Sequence, residues 1–314
     1  MMVKHHTIPF SEVFQRVKDI TITEETTKIT NENAELVCDA DDFSEYGLST
    51  LGKTVGFPAP FILQLNETNP ALADDVIRDR VNLYFENGKP EFYARRFLGK
   101  IRGVVSNKYS YFDDDEVVEI LSDSPLANMG FQNALITPER FHVRAIDEEN
   151  PFHINNDPSV LYFAFFIDNS MVGQSSFKVR LGIYRLACTN GLIVPVREFV
   201  ICRQIHRGRK DIAAEFNENI AFLKEKQESI KEILSTMGKE KATIETLKEE
   251  FRKDYLAKKL NLNQKETEKV IELYKTVYDG QTKWGMVSAI TEFARDIKDI
   301  NRRVYIEKAA LKAA

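Results

Sequence analysis

Up to about residue 210, apolar and polar residues alternate in short runs broken by Gly, Pro and Asn; beyond it, apolar residues recur at helical spacing with Lys and Glu between them. The first pattern predicts strands near Ala34–Cys38, Glu91–Phe97, Ile101–Val105, Asn133–Ile136, Phe141–Ile146, Leu161–Ile167, Phe177–Ala187 and Glu198–Ile205. The run from Phe177 is the most regular. Phe177, Val179 and Leu181 alternate with Lys178 and Arg180, so basic side chains are expected on an open strand face. Polar turns flank it, and Asn169, Gly173, Asn190 and Gly191 read as turn formers, because Asn and Gly tolerate positive φ.

Helices interrupt these strands. Ser44 to Val55 is amphipathic, Asn69-Pro70 supplies a cap and first-turn proline for about Ala71 to Phe85, and Asp114 to Leu121 follows an acidic start. In the C-terminal region, Ile220, Leu223, Ile230, Leu234 and Met237 form one stripe from about Ile212, stopped by Gly238. A second helix covers Thr243 to Leu260, and a third starts at the capping-box-like pair Asn263 and Glu266 and ends at Asp279-Gly280. The last begins near Thr282 and carries Trp284, Val287, Ile290, Phe293, Ile297 and Ile300. The expected fold is therefore α+β: a mixed, mainly antiparallel sheet body with flanking helices over 1–210, then an α-helical region over 211–314. The helical stripes need burial, either on the sheet of the same chain or in a homo-oligomer, and the oligomer is the expected state.

Composition narrows the class. The chain has 314 residues with 43% hydrophobic content, enough for a sizeable core. Its three cysteines, Cys38, Cys188 and Cys202, show no CxxC spacing, which favours reduced thiols in a cytoplasm. The start lacks the apolar core of a signal peptide, and the longest apolar run, Val160 to Ile167, is too short to span a bilayer. A cytoplasmic protein with no membrane partner is expected.

The net charge of −5 hides an uneven distribution. Arg95, Arg96, Lys100, Arg102 and Lys108 lie between Phe92 and Tyr111 without an acidic residue, among Tyr93, Phe97, Tyr109 and Tyr111. Lys178, Arg180, Arg185, Arg197, Arg203, Arg207, Arg209 and Lys210 follow Ser176 against the single acid Glu198. Phosphate-holding cations beside stacking aromatics are what a single-strand-binding groove needs. The alternative is that the aromatics are core and the arginines a solvated face.

NSMVG (Asn169–Gly173) followed by YRLACTNGL (Tyr184–Leu192) resembles the core signature of the phage- and plasmid-like domain-of-unknown-function family 932. GLSTLGKTVGFPAPFI from Gly47, RGVVSNKYSYFDDDEVVEIL from Arg102 and WGMVSAITEF from Trp284 resemble further blocks of it, with Ser288 where an asparagine is usual. The resemblance implies residence on phages, prophages and plasmids. It carries over no catalytic residues.

Enzymatic constellations are sparse. Cys188 with His142, His153 or His206 as base is better read as a small buried cysteine at a strand end. Asp113-Asp114-Asp115-Glu116 is better read as a helix cap and first turn than as a metal site. No P-loop, dinucleotide fingerprint or GxSxG pattern occurs. The leading expectation is a non-enzymatic binder of single-stranded DNA that needs no cofactor or metal. Arg95, Arg96, Lys100, Arg102, Lys178, Arg180, Arg185, Arg203, Arg207 and Arg209 would hold phosphates, with Tyr109 and Tyr111 as stacking surfaces. The alternative is a mobile-element interaction factor, such as an inhibitor of a host defence complex.

Overall fold

A computed structural model describes the chain except residues 1–6, 22–24, 110–111, 137–139, 155–156, 158, 186–189, 194–199, 205–211, 243–254, 277–281 and 314. Two antiparallel sheets carry the fold. The smaller has the order β1 (Glu25–Ile29), β2 (Phe92–Phe97), β3 (Lys100–Ser106). Its β2–β3 hairpin turns through Leu98 and Gly99, both at positive φ, as a two-residue turn of this hand requires. Helices α2 (Glu45–Val55), α3 (Ala59–Thr68) and α4 (Pro70–Glu86) cover one face. There Leu48, Leu51, Ile62, Ile77 and Val81 pack against Phe92, Ala94, Ile101 and Val104.

Local chemistry explains these starts. The Ser44 hydroxyl accepts from the Gly47 amide at 3.0 Å, and the Asn69 side chain accepts from the Leu72 amide at 3.3 Å ahead of Pro70. The strand expected at Ala34–Cys38 is instead a 3-10 helix over Asn31–Val37. Thr30 and Asn33 explain the difference: the Asn33 side chain accepts from the Thr30 amide at 2.8 Å, and the Thr30 hydroxyl accepts from the Glu32 amide. These side chains satisfy the local backbone before a ladder can.

The larger sheet contains β4 (Gly130–Ile136), β5 (Phe141–Ile146), β6 (Leu161–Asn169), β7 (Phe177–Arg185) and β8 (Asn190–Ile193), in that order, with β9 (Val200–Gln204) also paired to β7. Its first face holds Val143, Phe163, Phe165, Val179 and Leu181. Packed against them are α1 (Phe10–Thr21), α5 (Asp114–Ser122), α6 (Ile212–Met237), α7 (Tyr255–Leu260), α8 (Gln264–Thr276) and α9 (Lys283–Arg295). Trp284 in α9 donates its indole N–H to Asp157 at 2.6 Å, which anchors the helix before β6.

Where they are described, the C-terminal stripes are thus satisfied within the chain; of the helix expected over Thr243 to Leu260, residues 243–254 lie outside the described residues. Ile230, Leu234, Trp284 and Phe293 share a core with the sheet. The expected division at residue 210 falls outside the described residues, and the elements on both sides of it build that one core. The last expected helix is two. Asp296 caps the end of α9, the Asp299 side chain accepts from the Arg302 amide at 3.1 Å, and α10 (Ile300–Ala313) starts there. No helix among the described residues is long and apolar enough to cross a membrane.

Helix α10 lies on the second face of the large sheet, where Val304 packs with Ile146, Ala164, Phe166 and Tyr184. Here the sequence expectation is corrected. The polar side of β7 is not an open basic face: Arg180 and Tyr184 are buried and Lys178 is half-buried. Alternation in β7 marks two different buried faces, one apolar and one polar.

Candidate anion-binding site

The polar second face is built by strand periodicity. In β5, His142 and Arg144 project opposite to Phe141, Val143 and Ala145; in β6 Asp168 and in β7 Lys178 and Arg180 fall on the same side by register. Asp168 is wholly buried and central. Its carboxylate accepts from His142 Nδ1 at 2.9 Å and forms ion pairs with Arg140 at 3.3 Å and with Arg180. Because the carboxylate has no proton to give, Nδ1 carries one, and neutral His142 is left with a bare Nε2.

From α10, Glu307 reaches the same face. It accepts two bonds from Arg144 Nη2, at 2.9 and 3.1 Å, and one from Arg303 Nε at 3.0 Å. Lys308 stands beside Arg180, Arg140 and Lys178. Around two carboxylates, Asp168 and Glu307, the described residues therefore gather Arg140, Arg144, Lys178, Arg180, Arg303 and Lys308. The charge excess shows in ionisation. Burial first, and then Arg144, Arg180 and Arg140, hold His142 well below its ordinary range. Burial and then Arg180, Arg140 and Lys178 depress Lys308 to about 6.

The signature NSMVG lies elsewhere, where the two sheets meet. Asn169 donates to Phe112 O at 2.9 Å and Asp114 Oδ1 at 2.8 Å, and Tyr109 donates to Ser170 O at 2.8 Å. Arg95 bonds Asp113 at 2.8 Å, and Arg102 bonds the Met171 sulfur at 2.9 Å. A Cβ on Gly103 would stand 2.5 Å from Val172 Cβ, so only glycine permits this approach of β3 to the loop. Gly173, at φ 82°, has the left-handed conformation its turn needs.

Three of the ten expected phosphate-holding residues are therefore internal. Arg95 and Arg102 are buried at the junction and Arg180 against Asp168, because strand arginines covered on both faces must find protein partners. Tyr109 points its hydroxyl inward to Ser170 and is not an open stacking surface. Arg96 is half-buried and bonds Asp42 and Leu36 O, whereas Lys100 is exposed. Arg185 and Arg203 are placed only by β7 and β9, and Tyr111, Arg207 and Arg209 lie outside the described residues, as do Cys188 and His206. Asn169 is the last residue of β6 and tethers the junction. Asn190 and Gly191 open β8, paired with Arg185 and Tyr184.

Residues 102–311 match the family described as Domain of unknown function (DUF932). The chain belongs to the DUF932 family. Neither a curated protein nor a solved structure matches it. The DUF932 segment starts within β3, crosses residue 210 without interruption and ends within α10, so it contains the cationic cluster and the junction apart from Arg95. The Gly47–Ile62 block that resembles the family lies before it.

The sequence reading missed the cluster's inner members. His142 and Arg144 were legible as the polar positions of a strand, but Glu307 and Lys308 sit in a helix that was not foreseen. At the junction, burial raises Asp114 to about 6 despite its bond from Asn169. The folded state then keeps a proton that the unfolded chain has released, so this group's contribution to stability is fully present below the ordinary carboxylate range and is lost as pH rises through about 6. Asp114→Asn keeps an acceptor for Asn169 and removes the titration. It is expected to melt above the wild type at about pH 7 and to lose that advantage by about pH 4, as read by calorimetry across that range.

Proposed function

We propose that the protein is a non-enzymatic nucleic-acid-binding protein of a bacterial mobile element, acting on single-stranded DNA in the cytoplasm of its host. The observation that supports this reading is the cationic excess around Asp168 and Glu307, on a protein whose net charge is −5. A local positive field on an acidic protein favours a polyanionic ligand at that place, with little attraction elsewhere. The grounds differ from the sequence expectation, because the support passes from the buried Arg95, Arg102 and Tyr109 to the second face of the large sheet. Homo-oligomer formation belongs to the proposal on the ground of multivalency alone, since the described helical stripes are already covered.

The second reading is an interaction factor, such as an inhibitor of a host defence complex. It is favoured by exposed apolar side chains: Leu36, Phe61, Leu72, Leu83 and Leu98 all lie before the DUF932 match. Fluorescence anisotropy with a labelled single-stranded oligonucleotide separates the two. Affinity should fall with a slope of about −0.7 per neutralised phosphate, so four contacts would weaken binding roughly fiftyfold between about 50 and 200 mM salt. Absence of binding at low salt would remove the first reading and promote the second.

A further inference from the structure

We infer that the second face of the large sheet, beneath α10, is a phosphomonoester site in which Arg144, Arg180 and Lys308 hold a terminal phosphate beside His142. This deepens the nucleic-acid reading and rests on it for the ligand's source. The geometry carries it in three ways.

First, the buried polar atoms are not all used. The donors Arg144 Nε and Nη1 and Arg180 Nε, and the bare His142 Nε2, have no hydrogen-bond partner among the described residues, although Arg144 is 2% exposed and His142 3%. Buried polar atoms are rarely left so, and a planar guanidinium fork matches an oxyanion bidentately. Second, Arg144, Arg180 and Arg303 bring three charges to the two of Asp168 and Glu307, and a buried cationic surplus is costly until an anion enters. A dianion supplies the missing charge.

Third, coverage selects the kind of phosphate. An internal phosphodiester carries one charge and needs its chain to run past on both sides, which a face closed by α10 does not allow. A terminal phosphate carries about −1.5 to −2 charge, offers three oxygens and needs a single exit for its chain. Lys308 and Lys178 are half-buried and mark the accessible rim, while Arg144 forms the floor. Arriving dianion would also favour protonation of Lys308 and of His142 Nε2, both held neutral by burial first and then by the surrounding cations, so binding takes up protons.

Two sources offer this chemistry, a 5′-phosphorylated strand end and a free nucleotide. The test uses the full chain with 5′-phosphorylated and 5′-hydroxyl oligothymidylates of equal length, with thymidine monophosphate and inorganic phosphate as competitors and as thermal-shift ligands. The expected result is about tenfold tighter binding of the phosphorylated strand, or about 1.4 kcal/mol, with proton uptake seen as buffer-dependent enthalpy. Lys308→Met should lose the preference while melting no lower than the wild type. Arg144→Lys keeps the charge, lacks the fork and should lose it too. Equal affinity for both strand ends would overturn the inference and leave the nucleic-acid reading standing. Binding of the nucleotide and phosphate alone, weakened in Lys308→Met, would support the site and overturn the nucleic-acid reading. No thermal shift or binding with any phosphate compound would overturn both, and a preference unchanged in both variants would overturn the assignment to this cluster.

Discussion

Asp168→Ala is expected to lower stability by about 3–5 kcal/mol, because it leaves Arg140, Arg180 and His142 facing one another without their shared acceptor. Asp168 is 0% exposed, so water cannot take over its role without opening the sheet. With about 2.1 cal/mol/K of unfolding entropy per residue, a loss of about 4 kcal/mol in a chain of this length corresponds to roughly 6 °C in melting temperature. Calorimetry on the purified variant measures it. The same variant carries an internal control: millimolar phosphate should recover part of the loss, because an anion bound only to the folded state stabilises it by mass action. A melting temperature within a degree of the wild type would show that the cluster is far wetter than its geometry indicates.

Glu307→Ala should cost a similar amount, about 3–5 kcal/mol, by stranding Arg144 on the second face and releasing Arg303. The informative comparison is the double variant Arg144→Met with Glu307→Leu. Replacing a buried ion pair by apolar side chains of similar volume is commonly neutral or stabilising by about 1–4 kcal/mol, so the double variant should melt at or above the wild type. Recovery of that kind means that the pair does not sustain the fold. It would then be retained for binding, and the stable double variant should have lost phosphate-dependent thermal shift. A double variant as unstable as Glu307→Ala would make the pair structural.

Local signals were legible in the chain where they act within a few residues. The Asn69-Pro70 start of α4, the Asn263–Glu266 capping box of α8 and the α6 stripe ending at Gly238 appear where their spacing puts them. Two local readings failed to competing chemistry of the same range. Thr30 and Asn33 converted an apparent strand into a 3-10 helix, and the aspartates at 296 and 299 cut one apolar periodicity into α9 and α10. Helices α1 and α3 and strands β1 and β8 carried no expectation as such.

The candidate site divides in the same manner. The sequence by itself determined the α+β class, membership of a family with the NSMVG signature, and the two-residue alternation that puts His142 with Arg144 and Lys178 with Arg180. Periodicity says which residues share a side, but not what covers that side. Only the tertiary structure decided that α10 closes the second face and delivers Glu307 to Arg144, 163 residues away in the chain. It also turned Arg95, Arg102 and Arg180 inward, because a strand's polar side becomes interior once other elements pack on it. The cost of burying those charges then has to be met by partners that no local pattern specifies.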